Sequence, residues 1–250
     1  MGCSGTDKPQ QQQALHPPSP PPSAPLNNAL HGGGSASLED LLARANACTQ
    51  PTVLNLHGAR FSAKANQVLT LLRDGLTLQN GHLDLTGKQR LFITGSSTCF
   101  EHINVSGPSV AAASYEPDWG LPKGLVHVTG GGAVAGGTTP GAWGSAHLRL
   151  FKCTLCGGGA TDAVVAVDMG CSVELASSVV RGHPKGVGLC VAGVGSSARA
   201  ADCVFQDSYD SGVYVVNGGR VELSSCQLSG SRAGKGLEVG RQGGAGVLGV

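Results

Sequence analysis

Aromatic side chains are scarce in this chain of 250 residues: five Phe, three Tyr and two Trp, 4% of the whole. They are scattered, so they form neither a platform on which bases stack nor an obvious sugar-stacking groove. Charge is thin as well, at 13% of residues, and 17 basic against 16 acidic side chains leave a net charge of +1. With no basic stripe there is no electrostatic footprint for nucleic acid, which is excluded as a partner. Long apolar runs are missing: nothing approaches the roughly 18–20 consecutive apolar residues of a membrane span, and no apolar stretch near Met1 reads as a secretory signal. The expected location is cytoplasmic.

Cysteine is present, nine residues in all, but an odd number without a secretory signal argues against a disulfide framework and for reduced packing thiols. Cys153 and Cys156 form a C-x-x-C. No second pair stands at zinc-ligand spacing, so neither a metal nor a cofactor is expected.

What the chain has in abundance is glycine, 40 residues, together with a recurring triplet of two apolar residues flanking a polar one. The instances are Leu83-Asp84-Leu85, Ile103-Asn104-Val105, Val126-His127-Val128, Leu148-Arg149-Leu150, Val173-Glu174-Leu175, Ala198-Arg199-Ala200 and Val221-Glu222-Leu223, with centres 20–25 residues apart. A fixed period of that length marks a solenoid. Each triplet in a strand buries its outer pair and exposes its centre. Stacked coils would align the centres in one column reading Asp84, Asn104, His127, Arg149, Glu174, Arg199, Glu222, whose last four members alternate in sign and attract across neighbouring strands.

Cys153, Ser178, Cys203 and Cys226 recur at one offset, and Leu155, Val180, Phe205 and Leu228 two residues further on. These predict a second inward face. Val165/Val167, Leu189/Val191, Val213/Val215 and Leu237/Val239 predict a third strand per coil. The corners between strands need unusual dihedrals, and glycine is expected there.

On these residues the chain resembles the right-handed parallel β-helix family with the pectate-lyase-like fold, from about Pro51 onward and including the run Leu69–Leu85. The resemblance implies an all-β solenoid and admits lyases, hydrolases, esterases and binding modules alike. The expected organisation is a disordered Pro/Gln/Gly-rich tail over 1–36, a capping helix over 37–50 and the β-helix over 51–250. Ser37 opens the amphipathic run Leu38–Ala47, with Asp40 as a weak capping-box partner and apolar residues at 38, 41, 42 and 45. Such a helix would shield the first coil. At the far end Ala245-Gly246-Val247 begins another repeat. The solenoid is therefore expected to be incomplete there, or to meet a partner end to end.

Candidate chemistry is sparse. Met1-Gly2-Cys3-Ser4-Gly5-Thr6 fits the acylation pattern in which Gly2 takes myristate and Cys3 a second acyl chain, which would hold the protein at the cytosolic face of a membrane. The galacturonan-hydrolase elements N-T-D, D-D, G-H-G and R-I-K are missing, as Gly182-His183-Pro184 illustrates. His183, Lys185, Tyr209, Asp210 and Arg232 fall in successive corners and are the candidate catalytic set, with Lys185 and Asp210 expected to pair. Tyr115, Trp119 and Trp143 in irregular stretches are the candidate ligand-stacking residues. His82, His102 and His147 beside the charged column read as solvent-facing strand residues, as does His127 within it. The expectation is a binding or scaffold module for a protein or glycan. The alternative is a polysaccharide lyase or glycoside hydrolase with a divergent site.

Overall fold

The computed structural model describes residues 36–64, 69–85, 90–107, 123–130, 145–157, 161–240 and 244–248. They form a parallel β-solenoid, as the repeat predicts. One sheet has 14 strands and the other 7. The coil from Ser172 shows the plan. Val173 and Leu175 point inward from Ser172–Ala176 while Glu174 points out. The chain turns at Ser177, adds the short strand Val179–Arg181 to the same sheet, turns again, and crosses to the second sheet as Val187–Ala192. The next coil lies on it in register, Val173 against Ala198 and Val180 against Phe205.

The interior is continuous. Leu78, Phe100, Leu150, Leu175 and Leu223 come from the first strands, Leu155, Val180 and Phe205 from the second, and Val165, Leu189 and Val213 from the third. Each such side chain contributes roughly 1.5–3 kcal/mol by leaving water. The sequence-predicted inward sets Cys153, Ser178, Cys203, Cys226 and Leu155, Val180, Phe205 are buried, and Leu228 is partly buried against the core. Gly244–Leu248 pairs with Arg220–Ser224, so the repeat at Ala245 is in place.

The corner after each first strand departs from expectation. Asn80, His102, Lys152, Ser177, Asp202 and Ser225 hold φ between 50° and 55° there, and none is glycine. The left-handed region costs an L residue roughly 1–2 kcal/mol. Hydrogen bonds between coils offset it: the amides of Lys152, Ser177 and Asp202 donate to the carbonyls of Ala176, Ala201 and Ser224 at 2.9–3.0 Å. Glycine is required elsewhere, where coils touch most closely. A Cβ on Gly186 would lie 2.1 Å from the Asp162 carbonyl oxygen.

The column of triplet centres is corrected in its first half. Arg149 continues upward to Cys99 and Thr77, not to Asn104 and Asp84. Asp84 lies between Ser62 and Ser106, and Asn104 between His82 and Thr154, both on second strands. His127 belongs to the other sheet, between Phe92 and Ala166. The cause is that each coil contains more than one apolar-polar-apolar triplet, so a count by period alone slides between strands.

The helix spans Leu38–Ala47 and buries Leu38, Leu41, Leu42 and Ala45. It packs against strands of the first coils, and Asn46 ties it down: its side chain donates to the Thr70 carbonyl and accepts from the Leu72 amide, each at 2.9 Å. Ser37 is the N-cap residue, but its hydroxyl makes no cap bond and donates instead to the Glu39 carboxylate, so the Asp40 capping box does not form. Glu39 in turn accepts from the Lys64 amide at 2.6 Å.

Candidate functional site

The charged column exists from Arg149 onward. Arg149 Nε stands 3.3 Å from Glu174 Oε2, and Arg199 Nε stands 2.9 Å from Glu222 Oε2. These are two exposed pairs rather than one continuous chain, each worth about 0–1 kcal/mol. Residues two positions earlier point to the same side of the sheet and make a second column of His147, Ser172, Ser197 and Arg220. Its middle members are small. A groove of about 310 Å³ results, lined by His147, Ser172, Glu174, Ser197, Arg199, Arg220 and Glu222 among others. His147 Nδ1 meets the Ser172 hydroxyl at 2.8 Å.

Ser172, Ser197 and Arg220 were not singled out in the sequence, although strand alternation from Glu174, Arg199 and Glu222 places them on the same face. The signal was there in the period of two.

The candidate catalytic set lies in stacked corners. Backbone bonds stack its corners, the Tyr209 amide donating to the His183 carbonyl at 2.9 Å and the Arg232 amide to the Tyr209 carbonyl at 3.1 Å. Their side chains differ in exposure, from buried His183 to exposed Lys185 and Tyr209. His183 is buried, and its Nδ1 accepts from the amides of Lys185 and Gly186, so the ring proton sits on Nε2, 3.4 Å from the Thr161 hydroxyl. Lys185 is exposed and forms no ion pair with Asp210 among the described residues. The Asp210 amide donates to Gly186, at 3.0 Å, so the expected alignment with Lys185 is off by one residue.

Asp210 is held above the usual carboxylate range, first by burial and then by the charge of Glu238. A raised folded pKa means the ionised form opposes folding, fully so at neutral pH and not at all below the unfolded pKa of about 3.9. Asp210→Asn is therefore expected to stabilise the protein at pH 7, by less than about 1 kcal/mol because the site is largely solvated. Urea unfolding should show the gain fade as pH falls through the acid range. A loss of stability at pH 7 would contradict it.

The histidines do not stack. His82 meets Asn104, His147 meets Ser172, and His102 packs edge-on to Phe151 at 6.1 Å. His127, expected at the surface, is instead buried: its Nε2 lies 3.0 Å from Asp168 Oδ2, with side-chain exposures of 8% and 1%. It was misplaced because the triplet containing it belongs to the second sheet.

Burial pushes the Cys153 and Cys190 thiols up to about 12 and those of Cys171 and Cys203 to about 11, which makes them poor nucleophiles. Cys153 is buried while Cys156 is only half-buried, so the C-x-x-C splits between interior and surface. No group of three His, Cys, Asp or Glu among the described residues could hold a metal ion. Tyr115, Trp119, Trp143, Gly2 and Cys3 lie outside the described residues. No helix among the described residues is long and apolar enough to cross a membrane.

Fold and groove together define the chain as a parallel β-solenoid with a polar groove on one outer face. No protein-family model, curated protein or solved structure matches it.

Proposed function

We propose that this protein is a non-catalytic binding module whose groove holds a linear glycan lengthwise, along the stack of coils. The carrying observation is the presentation of polar groups at single-strand steps: Ser172 beside Ser197, and Arg149, Glu174, Arg199 and Glu222 alternating in sign in one row. Strands are about 4.8 Å apart, and a linear pyranose chain advances by close to that step per ring. An extended peptide presents like-facing side chains only every ~6.8 Å, which favours a glycan over a protein strand. Hydroxyl, carboxylate and guanidinium groups in alternation suit a ligand rich in hydroxyls.

Titration calorimetry with neutral and acidic hexasaccharides tests the reading. Binding to one of them is expected, weakened at least about tenfold in Glu174→Ala/Arg199→Ala through loss of charge-assisted hydrogen bonds. Turnover of the saccharide, abolished in His183→Ala or Asp210→Ala, would establish the lyase or hydrolase alternative instead. Acylation of Gly2 and Cys3, with attachment to a membrane, is a separate proposal resting on the Met1–Thr6 motif. Intact-mass measurement of protein from its native cell would show the added acyl mass or refute it.

A further inference from the structure

Within the groove the charges are unevenly committed. Arg149 is engaged with Glu174, and Arg199 with Glu222. His147 is engaged with Ser172. Arg220 stands apart: it is exposed, and its guanidinium has no ion pair or hydrogen bond among the described residues. Its register neighbour on the same face is Ser197, whose hydroxyl likewise has no partner there. Both line the groove. Their backbones are fixed by the sheet, the Ser197 amide donating to Cys171 and the Arg220 amide to Ser196, each at 3.0 Å. Two uncommitted donor groups are thus held side by side at one end of the groove, with the neighbouring charges already neutralised in pairs.

We propose that Arg220 and Ser197 form a subsite for a sulfate monoester on the bound glycan. The inference rests on the glycan reading of the groove and names the substituent that the glycan carries. An arginine fork presents parallel N–H donors to two oxygens of an anion, and the Ser197 hydroxyl adds a third donor from the adjacent strand. Three donors match the three free oxygens of a sulfate ester one to one, whereas a carboxylate presents only two oxygens in one plane, so that the third donor has to share an oxygen with the fork. Glu222, two residues from Arg220 on the same face, is turned to Arg199. It therefore leaves the Arg220 charge available.

The test uses the full chain and three hexasaccharides of equal length: a galactan carrying sulfate monoesters, its desulfated form, and an oligogalacturonate. Calorimetry should show the sulfated galactan binding at least about tenfold more tightly than either other probe, with affinity falling as salt rises. Arg220→Gln should erase that preference, so that the variant binds the sulfated and the desulfated galactan with equal affinity. Ser197→Ala should reduce it severalfold. Equal binding of sulfated and desulfated galactan, or an Arg220→Gln protein that keeps the preference, would overturn the sulfate subsite and leave the glycan groove standing. Tighter binding of the oligogalacturonate would overturn it in favour of a carboxylate. If none of the three binds, the glycan reading falls, and the subsite with it. Unchanged circular dichroism and thermal unfolding of both variants would assign any loss to the groove rather than to misfolding.

Discussion

Replacing His127 by leucine is expected to destabilise the folded protein by about 3–5 kcal/mol, the penalty for stranding a buried charge when its partner is removed. The Asp168 carboxylate is 1% exposed and receives Nε2 of His127 on one oxygen. Its other oxygen, Oδ1, has no hydrogen-bond partner among the described residues, so the contact with the imidazole is the one side-chain hydrogen bond given to this buried carboxylate there. Leucine has a similar volume and leaves little cavity, which separates the electrostatic loss from a packing loss. The double variant His127→Leu/Asp168→Leu should regain much of the stability, because an unpartnered carboxylate and not the missing ring is the source of the penalty. Urea unfolding of the wild type, both single variants and the double variant measures the coupling. A His127→Leu protein within about 0.5 kcal/mol of wild type, the range of an ordinary surface change, would show that the pair is not desolvated as described.

Phe205→Ala should be equally damaging, at about 3–5 kcal/mol for an aromatic deleted from a packed interior. Phe205 is fully buried in register between Val180 and Leu228. Its coil carries Ala198 and Ala200 inward where the adjacent coils carry Val173, Leu175, Val221 and Leu223. A large residue on the second strand thus accompanies small ones on the first, keeping the filling of each coil near constant. If volume is shared in this way, Ala200→Leu should restore part of the stability to Phe205→Ala while destabilising the wild type by overpacking. Thermal unfolding distinguishes this from independent effects, in which the two losses would add.

The same pair of coils explains how much of the molecule was legible. From Leu148 onward each first strand has one clean triplet, and its period, its inward pairs and the alternating charges of Arg149 to Glu222 follow from strand geometry. Further upstream, Leu76-Thr77-Leu78 and Leu83-Asp84 lie on either side of Asn80 within a single nine-residue strand segment, with Leu85 just beyond its end. A one-dimensional reading cannot tell which of them continues the column, and the wrong choice moved Asp84, Asn104 and His127 off their true neighbours. Corners were harder still. The left-handed conformation at Lys152 or Ser177 comes from hydrogen bonds to the next coil and not from the residue's own preference, so no local signal marks it. His183 looked like chemistry because it falls in a corner in step with Lys185, Tyr209, Asp210 and Arg232; its burial and its acceptance of two backbone amides depend on how the corner folds back. The groove followed from alternation alone, but finding it required asking which side chains beside the ridge are small.

Because every rung of the outer ridge comes from a separate coil, the molecule measures length in whole units. Copying the segment from Ser172 to Ser196 in tandem would add one graduation of about 4.8 Å without disturbing the marks on either side, since each coil touches only its neighbours. Such a solenoid is a ruler, and its length changes by addition of segments rather than by reshaping a pocket.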